Sequence, residues 1–274
     1  MNNTTSMSSL DYPQPMERSA VFWIVRDTYV LIVRSLRHIF KNLDQLMALV
    51  IQPIMFMLLF RYVFGGAINT GSTTYVNYLV AGILIQMAAF GAMTTSLNVA
   101  ADLQRGIIDR LKSLPIASSA VMTGHVVADL VRNVLSSIIL IAISLLVGFS
   151  PTASIQDWLL ITAILLLFTL AFSWLAAIIG LLARTVEAVQ WISFVLVFPL
   201  TFASSAFVPT KGMPEVLRIF AENQPVTHVI EAMRSLMVGT PMNDHALLSA
   251  IWCIGITVIC VPIASYLFRK HSTK

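Results

Sequence analysis

The stretch DLQRGIIDRLKSLP, Asp102 to Pro115, decides how the rest of the chain is read. It carries five charged residues, whereas the flanking runs Val76–Val99 and Val121–Gly148 carry two between them, Asp129 and Arg132. Both flanks exceed the roughly 18–20 residues that cross a bilayer core as a helix. A compact charged segment between two runs that leave water reads as a turn at a membrane surface. Leu103, Ile107, Leu111 and Leu114 fall at i, i+4, i+8 and i+11, one stripe of a short helix that Pro115 ends. Asp102, Arg105, Asp109 and Lys112 take its other faces. A loop that only fixes topology needs basic residues; it does not need Asp102 and Asp109, nor an apolar stripe. Mixed charge on an amphipathic helix suits docking on a soluble partner.

Composition agrees with the membrane reading. Apolar residues make up 57% of the 274 and charged residues 11%, against about 25% charged in soluble domains. Mean hydropathy is +0.83. The chain therefore reads as an all-α polytopic membrane protein, its transmembrane domain covering 45–268. Six spans are expected at 45–64, 76–98, 122–148, 157–181, 187–208 and 246–268. Links 65–75 and 149–156 carry turn residues. Lys and Arg in the loops set orientation. Twelve collect on one side, from Arg18 through Arg105, Arg110, Lys112 and Arg184 to Lys274; the other side has three, Lys211, Arg218 and Arg234. Both termini are thus expected in the cytoplasm, with 102–115 on the same side.

Residues 1–17 read as a polar, disordered cytoplasmic tail and 269–274 as a second tail. In 18–44, Arg34, Arg37 and Lys41 share a face at i, i+3 and i+7, beside Val30, Val33, Ile39 and Phe40. That pattern predicts a helix lying in the headgroup region, its basic side near anionic lipid. Segment 209–245 has two helical periodicities broken at Gln224-Pro225 and closed by Gly239-Thr240-Pro241, which predicts two short amphipathic helices re-entering the outer leaflet. Cys253 and Cys260, seven apart on one apolar run, are about 10 Å apart on a helix and too far to bridge.

Three stretches, in order, resemble one family. They are RSLRHIFKNLDQLMALVIQPIMFMLLFRYVFGG (34–66), DLQRGIIDRLKSLPIASSAVMTGHVVADLVRN (102–133) and FPLTFASSAFVPTKGMPEVLRIFAENQPVTHVIEAMRSLMVG (198–239). The chain resembles the membrane (permease) subunits of type-2 ABC exporters, of the daunorubicin/doxorubicin-resistance permease kind, over about residues 20–268. Where such subunits often have Arg-Asn-Pro before the first span, this chain has Lys41-Asn42-Leu43. The resemblance implies a coupling helix at 102–115 that docks on an ATP-binding subunit, through Asp102, Leu103, Arg105, Gly106, Ile107, Asp109, Arg110, Lys112 and Pro115. It implies that 18–44 is the connecting helix and 209–240 the extracellular re-entrant helices. It further implies an export pathway shared by two permease subunits, identical or sister, in a bacterial cytoplasmic membrane. The cargo would be a drug, an antibiotic or a lipid.

The rest of the sequence bears on chemistry. There is no G-x-x-x-x-G-K-[ST] to cradle nucleotide phosphates, no H-E-x-x-H and no G-x-S-x-G. The energy source is then a separate subunit carrying ATP and Mg, and this chain is expected to be no enzyme and to bind no cofactor. His38, His125, His228, His245 and His271 are scattered without metal spacing, so no metal site is expected. Asp129 and Arg132, at i and i+3 within the third span, must pair or face a polar cavity. They suit either a polar patch in the pathway or a salt bridge between helix ends. Met55, Phe56, Met87, Phe90, Phe198 and Phe202 offer the adaptable, aromatic surface that an amphipathic or hydrophobic cargo would meet. The alternative is an ion-coupled secondary transporter, which needs an acidic residue near the midplane; only Asp129 is a candidate for that.

Overall fold

The computed structural model describes Val33 and residues 43–68, 74–106, 118–183 and 185–270, and every regular element among them is helical. The expected 18–44 helix with Arg34, Arg37 and Lys41, most of the coupling segment (Ile107, Asp109, Arg110, Lys112 and Pro115), Arg184 and both tails lie outside the described residues, apart from Val33, Leu43, Asp44 and the first two residues of the second tail. Helix α1 is Leu43–Leu59 and runs into a π-helical turn, Phe60–Phe64. Helices α2 (Tyr75–Gln104), α3 (Ser118–Leu146) and α4 (Ile155–Leu182) follow. Then come α5 (Val186–Phe202), the short α6 (Glu215–Asn223) and α7 (Pro225–Val238), and α8 (His245–Lys270). Four of these, α2, α3, α4 and α8, are long and apolar enough to cross a membrane; α1 with its π turn, and α5, are shorter apolar helices.

The fold is organised around α2. It packs against α3, α4, α5 and α7, and Leu79, Val80, Ala81, Ile83, Ile85 and Ala88 are wholly shielded. A helix apolar on every side belongs in the middle of a bundle. The π turn after α1, and helices α5 and α8, keep large apolar side chains on the outside: Tyr62 is 72% exposed, Trp191 69% and Val258 65%. Local polar groups fix the helix starts. Ser154 and Asp157 close a capping box on α4, and the Thr185 hydroxyl accepts from Ala188 N at α5.

Two helix ends differ from expectation. The fifth apolar run, 187–208, stays helical only to Phe202. Ala203–Val208 is irregular because side chains capture its backbone: Gln224 donates to Ala203 O (2.5 Å), Arg234 to Ser205 O (2.6 Å) and Tyr75 Oη to Phe207 O (3.2 Å). Buried non-helical backbone is tolerated when protein groups satisfy its hydrogen bonds. The same segment requires Gly82, where a Cβ would stand 2.1 Å from Ala206 O. Second, α2 does not end at 98: Asp102, Leu103 and Gln104 form its last turn. Gly106, at φ +63°, ends it by a reversal that glycine adopts without strain.

Candidate functional site

A cleft of about 300 Å³ opens between α1, α2, α3 and α5. Met87, Phe90 and Leu97 give its wall an apolar side; Gln52, Thr94, Arg132, Asn133, Ser136 and Gln190 supply hydrogen-bonding groups. The arrangement follows from α3, where Asp129, Arg132 and Asn133 stand at i, i+3 and i+4 and so share one face. Asp129 is 2% exposed. It pairs with Arg132, accepts from the Ser173 hydroxyl of α4, and accepts from Asn133 Nδ2 at 3.2 Å. Arg132 also donates to Gly91 O of α2 at 2.5 Å. One ion pair thus joins α2, α3 and α4 and presents its guanidinium to the cleft. The Ser136 hydroxyl donates to Leu49 O (3.4 Å), closing the α1 side. Of the expected pathway residues, Met87 and Phe90 line this cleft.

Met55, Phe56, Phe198 and Phe202 do not line it. Met55 is 53% exposed on α1. Phe198 and Phe202 belong to an aromatic ladder along α5 in which Trp191 meets Phe194 edge to face at 6.5 Å, Phe194 lies tilted on Phe198 at 5.1 Å, and Phe198 stacks on Phe202 at 4.4 Å. Phe207 carries the ladder across to Phe60 of the π turn (5.2 and 4.1 Å), and Phe56 stacks on Phe60 at 6.1 Å. Gln52, Thr94, Asn133, Ser136 and Gln190 were not singled out from the sequence. Their signal was available: isolated polar side chains inside apolar runs are costly unless paired or wet.

At the Asp102 end, the structure separates the described coupling residues. Asp102 is buried and turned towards His125 of α3, Oδ2 to Nε2 3.2 Å. Leu103 packs on the cluster around Val99, Met122 and Phe268. Arg105 is exposed and Gly106 half-buried.

The opposite end is tied by Arg234 of α7. Its guanidinium donates to Tyr78 O (3.2 Å), Ser205 O (2.6 Å) and Glu231 Oε1 (2.5 Å), and lies 3.6 Å from the Tyr78 ring centroid. Close by, His228 Nδ1 of α7 is 3.1 Å from His245 Nδ1 of α8. Burial, then the neighbouring His245 ring, hold the His228 imidazole below its ordinary pKa.

An apolar helical bundle with four helices long enough to cross a bilayer, and a cleft lined by a buried ion pair, is the build of a membrane-embedded protein. The chain belongs to the ABC-2 type transporter family, whose profile matches residues 26–238. Among its relatives is the daunorubicin resistance ABC transporter permease protein DrrB1 of Streptomyces coeruleorubidus, 29% identical over 83% of this chain and 81% of that protein. The probable doxorubicin resistance ABC transporter permease protein DrrC of Mycobacterium tuberculosis is 23% identical over 94% of each chain. The inner membrane transport permease YadH of Escherichia coli is 23% identical over 79% of this chain and 84% of its own length. The resemblance read in the three sequence stretches therefore holds.

Proposed function

We propose that this chain is the permease subunit of an ATP-driven exporter, moving a drug-like, antibiotic or lipid cargo across a bacterial cytoplasmic membrane. The cleft carries the reading. It combines apolar wall with neutral hydrogen-bonding groups and one charge-balanced guanidinium, which suits an amphipathic cargo. The drug-resistance roles for which DrrB1 and DrrC are named favour the same cargo class. Two further spans complete six: Leu43–Phe64 is about 33 Å long at 1.5 Å per residue, and α5 at about 26 Å is extended by Ala203–Val208. Both termini then face the cytoplasm, with α6 and α7 in the outer leaflet. The exposed faces of α1 and α5 meet a second permease subunit, and the Asp102–Pro115 segment meets the ATP-binding subunit that holds ATP and Mg. Asp129 supports this over ion coupling, because its carboxylate is already engaged by Arg132, Ser173 and Asn133.

The test is purification from native membranes. The chain is expected to co-purify with an ATP-binding subunit, two copies of each, and the isolated chain to bind no ATP. Stoichiometric ATP binding by the chain alone, or transport driven by an ion gradient without an ATPase, would end this reading.

A further inference from the structure

We propose that His228 and His245 form a two-imidazole site for a divalent transition-metal ion of the zinc or nickel type, clipping α7 to the start of α8. The sequence does not announce it, since the two are seventeen residues apart with no Cys/His spacing around them. The fold brings them together. Their Nδ1 atoms stand 3.1 Å apart and their rings are inclined by 36°. In the metal-free pair one ring donates its Nδ1–H and the other accepts, so a shared proton sits between the two nitrogens. A metal ion asks for two nitrogens at about this separation. With metal–nitrogen bonds of about 2.0–2.1 Å, nitrogens 3.1 Å apart subtend about 98° at the ion, between the octahedral and tetrahedral angles. The ion then lies off the Nδ1–Nδ1 line, so each ring turns its lone pair by about 40° from the hydrogen-bonded direction, with the backbone unmoved.

His228 is 7% exposed, so packing fixes where its ring stands. Each ring sits on fixed backbone. Helix α7 is closed by Gly239 N and Thr240 N on Ser235 O (2.9 and 3.1 Å), and α8 opens with His245 N on Met242 O and Leu248 N on Asp244 O. Among the described residues no group of three or more His, Cys, Asp or Glu converges. His245 is half-buried beside the exposed Asn243 and Asp244, so water can complete the shell. Two protein ligands and water make an exchangeable clip, not a closed structural centre.

The experiment uses the full chain with any histidine tag removed, and follows thermal unfolding and bound metal with added Zn2+, Ni2+ or Mg2+. Zn2+ and Ni2+ are expected to raise the midpoint saturably with one ion bound per chain, and Mg2+ to do nothing. At a hundredfold excess over Kd, the unfolded-to-folded ratio falls about a hundredfold. H228N and H245N should each abolish the response, while H125N, at the far end of the bundle, keeps it. H245N replaces a half-buried ring and serves if H228N folds poorly. No Zn2+ or Ni2+ shift in the parent chain, or the same shift in H245N, overturns the site and leaves the pair an ordinary hydrogen bond.

Discussion

Arg132 and Arg234 are built from the same parts and placed to different ends. Each sits on a helix with an acidic partner three residues before it, and each reaches a backbone carbonyl of α2. Each guanidinium nitrogen of Arg234 donates to protein, to Tyr78 O, Glu231 and Ser205 O, and the group lies over the Tyr78 ring. It takes up carbonyls that the end of α5 leaves behind and fastens α7 to α2. Arg132 is satisfied on one side only, by Asp129 and Gly91 O, and its other side is the cleft. An arginine whose nitrogens are all taken up by protein is architecture; one open to a cavity can meet a ligand.

Substitution separates the two. Arg234→Ala is expected to have the largest effect. It takes the donors from the carbonyls of Tyr78 and Ser205 and the cation from the Tyr78 ring, while Glu231, 30% exposed, can turn to water; at about 1–3 kcal/mol per buried acceptor left without its donor, the loss is roughly 3–5 kcal/mol. The variant should fail to accumulate as a monodisperse species in fluorescence-detected size exclusion. Normal yield and melting would mean that the knot is dispensable, and the contrast with Arg132 would collapse. Arg132→Gln comes next. It leaves the buried Asp129 carboxylate without its charge partner, but the amide can still donate to it and the cleft can admit water, so stability should fall by about 2–3 kcal/mol, less than a fully broken buried pair, while transport is largely lost. Removing Asp129's charge as well, in D129N with R132Q, should restore part of that stability by leaving no unpaired charge, yet not restore transport. Recovery of transport in the double variant would assign the pair to architecture too.

How much of this was readable depends on the range of the forces involved. The long spans were legible because an apolar run of such length has few alternatives to a membrane helix. The helix ends were not, because partners distant in sequence decide them. Phe202 ends α5 where Gln224 and Arg234 take the next carbonyls, and α2 runs on through Asp102, whose carboxylate His125 holds. The same limit applies at the cleft. Asp129 and Arg132 announce each other at i, i+3, but Ser173 and Gly91 are 44 and 41 residues from their partners. Met87 and Met55 are the same residue type in equally apolar runs; only packing puts one in the cleft and the other outside.

A third arginine sets the baseline for the other two. Arg105 follows the last turn of α2, is exposed, and lies one turn from neither knot. Reversing it, Arg105→Glu, removes no buried contact, and exposed substitutions of this kind stay within about 0.5 kcal/mol. Melting temperature and membrane abundance should therefore match the parent, the smallest stability effect of the three arginines. Function is another matter if the segment beyond Asp102 docks on an ATP-binding subunit. Reversed charge at such an interface meets like charge on the partner, which can cost several kcal/mol. The variant should then lose co-purification of that subunit and transport together, with the permease itself intact. Asp102→Asn gives the opposite pattern at the same helix end: its carboxylate is buried against His125, so it should loosen the α2–α3 junction before it touches a partner. If Arg105→Glu assembled and exported like the parent, the exposed end of α2 would be a plain surface turn, and the docking contact would have to lie wholly beyond Gly106.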